Sequence, residues 1–121
     1  MTLILDGDVR YVEAEPGEPL LARPGDASLV IEACLSHRVK GALLYPPNLT
    51  PRFFDLSSGD AGTIVEKLRR FGIRLAVVCA PGSVRVSRRF GEFVADDFRL
   101  FATREEACAW LAAAPGAARD R

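Results

Sequence analysis

Ser57 and Ser58 stand between two acids, Asp55 and Asp60, directly behind the aromatic pair Phe53 and Phe54, in the run FFDLSSGDAG. Serine hydroxyls at the start of a helix offer two kinds of chemistry. They cap the helix by accepting from an amide that has no partner in the first turn, or they receive a phosphoryl group that the free amides and the positive end of the dipole would meet. Asp55 and Asp60 would repel that phosphate, and in an acid/base or metal role they lack a histidine, cysteine or further acid close by in sequence. No metal and no cofactor is expected. Asp60 matches the dipole of a first helical turn. The candidate binding or regulatory surface is therefore Asn48, Thr50, Phe53, Phe54, Asp55, Ser57, Ser58, Gly59 and Asp60, with Ser58 as the candidate phospho-acceptor. Two adjacent aromatics on a short turn are expected to leave one ring exposed at this surface. If Ser58 is only a cap, Ser58→Asp is expected to be nearly neutral.

Other reactive types are read as structural. His37 falls near the end of the first helix, where an imidazole is favoured by the dipole. Cys79 ends a central strand and has no neighbouring base, so it reads as a core thiol. The segments Gly59–Gly62 and Pro81–Ser83 match neither a P-loop nor a dinucleotide fingerprint. Arg85, Arg88 and Arg89 gather on one segment, with Arg69, Arg70 and Arg74 elsewhere; such arginines can receive an acidic partner or a phosphate, but they read more simply as a solvated face.

These residues need a scaffold, and the patterning supplies one. LIL, Asp6-Gly7 and VRYVEA read as a hairpin, because Asp-Gly accepts the positive φ angles of a tight turn. Asp26 caps a first helix with Val30, Ala33, Cys34 and His37 at helical spacing. GALLY and IRLAVVC are uninterrupted apolar runs suited to central strands, and FRLFA is a third. Thr50-Pro51 opens a short helical turn, and the main helix is expected from Ser57 or Ser58 to Arg70, ended by Gly72. Gly62 is read as the point where this helix approaches the sheet closely. Val86, Phe90, Phe93 and Val94 mark a third helix. Thr103 and Glu106 form a capping box for a last helix packed by Ala107, Trp110, Leu111 and Ala114. Right-handed crossovers then make one α/β domain over residues 1–114: an N-terminal hairpin continued by parallel strands, covered by about four helices, with a tail at 115–121.

The 121 residues carry sixteen basic and sixteen acidic side chains, so the positive field of most nucleic-acid binders is missing. No apolar run approaches the roughly 20 residues that cross a bilayer. MTLILDGD lacks the basic start and cleavage site of a secretory signal. Three widely spaced cysteines within apolar patterns fit reduced thiols, hence a cytoplasmic setting.

NLTPRFFDL, SGDAGTIVEKLRRFGIRLAVV, FVADD and FATREEACAWL resemble the small bacterial proteins grouped as domain of unknown function 4180, and the resemblance spans nearly the whole chain. The N-L-T-P-x-F-F-D-L run carries it, since generic helix and strand formation does not require that combination. FFDLSSGDAGTIV also resembles the phosphorylatable strand-to-helix site of STAS domains, the anti-sigma-factor antagonist fold. That resemblance implies a STAS-like topology and places Ser58 on the phospho-acceptor, with Leu56 set into the Asp-Ser-Ser order. Together they lead to the expectation of a non-enzymatic regulatory or protein-interaction module. Its partner would be another protein, with pairing of two copies left open. The alternative is a small-molecule or anion binder, or a minor enzyme, using Asp55, Ser58 and the loop after Cys79 as polar lining.

Overall fold

In the computed structural model, residues 1–6, 9–15, 17–80 and 97–112 are described. Gly7 of the expected hairpin turn, Pro81–Ser83, Arg85, Arg88, Arg89, the third helix expected over Val86–Val94, Ala114 and the 115–121 tail lie outside these residues.

The first two apolar-rich runs form strands β1 (Thr2–Asp6) and β2 (Val9–Glu13), paired antiparallel with Leu3 opposite Val12 and Ile4 opposite Tyr11. The continuous apolar runs form β3 (Gly41–Leu44) and β4 (Arg74–Val78), and β5 is Phe98–Phe101. The strand order is β1-β2-β3-β4-β5, with every pair from β2 onward parallel. The domain is therefore α/β with a five-stranded mixed sheet, a hairpin followed by parallel crossover strands as expected. Helix α1 (Ala27–His37) joins β2 to β3, and α2 (Asp60–Arg69) joins β3 to β4. Crossovers of one hand that step in one direction put their helices on one face, and α1 and α2 share one core there. Helix α3 (Arg104–Ala112) covers the opposite face. Three α-helices lie among the described residues, accompanied by short 3₁₀ turns at Pro24–Asp26, Pro46–Asn48 and Leu56–Ser58.

The larger core gathers Val12, Ala42, Leu44, Leu75, Val77 and Phe98 of the sheet against Val30 and Cys34 of α1, Ile64, Val65 and Leu68 of α2, and Phe53 and Phe54. The smaller one holds Tyr11, Leu43 and Ala76 against Ala107 and Leu111 of α3. β3 is buried along its whole length, which explains its unbroken apolar run.

Three local expectations are corrected. Asp26 does not cap α1 with its side chain; its carboxylate accepts from the Ala22 and Arg23 amides at 3.1 and 3.3 Å, back toward the preceding turn. The α2 helix begins at Asp60 instead of at a serine, because Gly59 holds the entry in a left-handed conformation (φ 81°) that a side chain would strain. The close approach to a helix is made by Gly41, where a Cβ would stand 3.1 Å from Leu111 of α3. Gly62 faces solvent with nothing within 4 Å of its Cβ position. Gly62→Ala should therefore raise stability by about 0.5–1 kcal/mol, since only the flexibility of glycine in a helix is lost. A thermal melt of the two proteins checks this, and a lowered midpoint would mean that Gly62 is packed.

Candidate functional site

The chain leaves β3 through Pro46 and Pro47, which cannot donate to a sheet ladder, and winds into the 3₁₀ turn that ends at Asn48. Asn48 is almost fully buried. Its Oδ1 accepts from the Tyr45 amide at 2.7 Å, and its Nδ2 donates to the Glu15 and Glu18 carbonyls at 2.7 and 2.6 Å. Its own carbonyl accepts from the Leu20 and Leu21 amides. Asn48 thus closes the long connector after β2 onto the end of β3.

Thr50 is half-buried, and successive bonds from Phe53 to Thr50, Phe54 to Pro51 and Asp55 to Arg52 make one tight turn of the next segment. Both Phe53 and Phe54 point inward, at 0% and 3% exposure. The expectation that one ring would be exposed is overturned. The rings meet edge to face at 5.3 Å, and Phe53 also meets Phe98 of β5 at 5.9 Å, so the tight turn enters the core end-on and seats both.

Beyond the pair the chain emerges. Asp55, Ser57 and Gly59 are exposed and Ser58 is half-buried. Asp55 Oδ1 accepts from both the amide (3.1 Å) and the hydroxyl (2.7 Å) of Ser57. Ser58 Oγ donates to the Arg52 carbonyl at 2.5 Å and accepts from the Asp60 amide at 3.2 Å, so from one position before the Gly59 N-cap it satisfies the first helical amide and ties the helix start to the preceding turn. Asp60 is buried under Arg52, whose Nε and Nη2 donate to its two oxygens at 3.1 and 3.3 Å. The nine residues singled out in sequence therefore divide. Asn48, Thr50, Phe53, Phe54 and Asp60 build the support, while Asp55, Ser57, Ser58 and Gly59 form an outward ledge. The ledge continues along α2 into a shallow depression of about 460 Å³ lined by Gly59, Gly62, Thr63, Glu66, Lys67 and Arg70.

The dual role of Ser58 changes the expected effect of substituting it. Ser58→Ala should cost about 1 kcal/mol. Ser58→Asp should cost at least as much, instead of being neutral, because a carboxylate accepts from Asp60 but cannot donate to Arg52. Chemical denaturation of both variants checks this ordering.

On the opposite face a second constellation joins β2, the end of β3 and α3. Arg104 Nε and Nη2 donate to the two Glu13 oxygens at 3.0 Å each, and Nη2 also donates to the Tyr11 hydroxyl at 3.0 Å. The Tyr45 hydroxyl donates to Glu13, and Tyr11 Oη lies 3.1 Å from Cys108 Sγ. The Arg104 hydrogen bonds hold the Glu13 carboxyl below its ordinary range. Burial, reinforced by the Glu13 bond and charge, pushes the Tyr45 phenol from 10.0 up to about 12. Nearby, Arg74 lies over the Trp110 ring at 3.8 Å and donates to its carbonyl at 2.8 Å, so this arginine belongs to an interior contact and not to a solvated basic face. Arg69 pairs with Asp97 and Glu66 at the surface, its side chain half-exposed.

The sequence reading missed this network. Its signals were local: Tyr11 and Glu13 share one face of a strand, and Arg104 and Cys108 share one face of a helix. A consequence is alkaline sensitivity. A folded-state phenol raised above its unfolded value contributes stability that is full below pH 10 and is lost as pH rises through about 12. Stability should fall across that window, less steeply in Tyr45→Phe, as read from denaturation midpoints at graded pH.

With the geometry in place, the chain can be compared with known families. The family described as a domain of unknown function, DUF4180, matches residues 6–111. The chain belongs to this family. The match takes in the connector closed by Asn48, the aromatic turn, the ledge and both faces of the DUF4180 sheet. No curated protein and no solved structure matches the chain. Among the described residues no helix is long and apolar enough to cross a membrane, and no three of His, Cys, Asp and Glu gather as metal ligands.

Proposed function

We propose that this DUF4180 domain is a protein-interaction module of regulatory type, non-enzymatic and STAS-like in its logic, whose contact surface is the ledge at Asp55–Gly59 and the outer face of α2. One observation carries the reading: the ledge meets, at Gly59, an open depression lined by Gly59, Gly62, Thr63, Glu66, Lys67 and Arg70. An open, shallow, mixed-charge surface resembles the rim and face of a protein contact more than an enclosing small-molecule cleft. The alternative of a ligand cleft at the helix start is less well supported, because its polar groups on Asp55 and Ser58 are already engaged within the domain. The cytoplasmic, bacterial setting belongs to the same proposal. Its supports are the free thiols of Cys34, Cys79 and Cys108 and the kind of protein that the sequence resembles.

The test is affinity capture from the native host, followed by binding measurements on the partner found. Gly62→Gln and Thr63→Arg fill the depression from exposed positions, so neither should lower the melting temperature, Gly62→Gln raising it as Gly62→Ala does, and both should weaken the partner by about tenfold or more. Unchanged affinity for both would remove this face from the contact.

A further inference from the structure

We infer that β1 is a self-association edge: two copies of this chain pair β1 against β1 about a two-fold axis and continue the sheet from one protomer into the other. β1 ends the strand order, and among the described residues its outer side pairs with no strand. An unpaired edge presents a row of amides and carbonyls that template a further strand, and proteins ordinarily blunt such an edge with charge, proline or a bulge. The opposite edge follows that rule, since β5 carries exposed Arg99 within it. β1, Thr-Leu-Ile-Leu-Asp, carries its single charge only at its last position, Asp6, contains no proline or glycine, and leaves Leu5 66% exposed within it.

The identity of the occupant follows from register. An antiparallel two-fold pairing centred on Ile4 sets Leu3 opposite Leu5 of the second copy, Ile4 opposite Ile4, and Thr2 opposite Asp6. Apolar residues then meet apolar residues, and the single charged position of the strand meets a hydroxyl residue. No like charges oppose one another, which is the complementarity that a self-pairing strand requires. The two sides of the pairing also extend existing cores: Leu3 already packs against the larger core and Ile4 against the smaller one. Neither edge strand has to change its conformation for this to occur.

The experiment is sedimentation velocity of the full chain from about 5 to 500 µM, with Leu5→Lys and Thr2→Asp as variants, the second setting like charges at the Thr2–Asp6 position. Wild type should shift toward twice the monomer mass within that range, and each substitution should weaken the association by at least about tenfold. Both positions are exposed, and circular dichroism confirms that each variant folds. In a mixed sample of isotope-labelled and unlabelled chains, filtered NOEs should connect Ile4 to Ile4 and Leu3 to Leu5 between copies. A wild type that stays monomeric throughout overturns the inference, including the case in which a different protein takes the edge. So does a dimer that both variants leave intact, since it would use another face.

Discussion

Phe53→Ala is expected to cost about 3–5 kcal/mol, the largest loss from truncating any side chain of the aromatic turn. Phe53 is fully buried and touches two further rings, Phe54 from its own turn and Phe98 from β5. Removing it vacates space between a loop and a strand that are fixed by other contacts, so the cavity cannot close fully. With total stabilities of about 5–15 kcal/mol for domains, such a loss leaves little margin. Urea denaturation should show a much lower midpoint at an unchanged slope. A loss below about 1 kcal/mol would place the ring at the surface and return it to the list of contact residues. Partner binding by the same variant separates support from contact: a loss of binding only in proportion to unfolding identifies Phe53 as support for the ledge.

That outcome bears on what the sequence could disclose. Uninterrupted apolar runs identified β3 and β4, because a strand covered on both faces has no polar side to show. The 3.6-residue spacing of Ala61, Ile64, Val65 and Leu68 identified the buried side of α2. Periodicity says which residues share a face, not what faces them. It therefore could not separate Gly41, pressed against Leu111, from Gly62, open to solvent. Nor could it seat two adjacent phenylalanines, because the way a tight turn enters a core is decided by tertiary packing. The helix start shifted for a local reason: Gly59 adopts a conformation that glycine tolerates, and the serines were left in the turn before it.

The Glu13–Arg104 pair lay furthest beyond reach. Its members stand 91 residues apart, and only the stacking of α3 over β2 brings them together. Each half looked like an ordinary surface charge in sequence. By contrast, the 48–62 segment was noticed because its residue types were unusual for plain helix formation. The structure assigns part of that unusual composition to architecture and part to the outward ledge.

Asn48 marks that division most sharply, and Asn48→Asp should cost about 3–5 kcal/mol at neutral pH while changing hardly any volume. The substitution keeps the acceptor for the Tyr45 amide but removes both hydrogens that the Glu15 and Glu18 carbonyls receive, and sets a carboxylate against those oxygens at a buried position. Charge there is opposed by burial and by carbonyl dipoles, so the introduced acid holds its proton more tightly in the folded state than in the unfolded one. Its stability deficit is therefore smallest at low pH and grows as pH rises through the carboxyl titration. Asn48→Ala, which introduces no charge, should cost about 2–3 kcal/mol with no added pH dependence. Denaturation of both variants at pH 4 and 7 tests the latch directly. If Asn48→Asp left stability unchanged and lowered only partner affinity, Asn48 would be a contact residue, and the connector after β2 would be held in place by other groups.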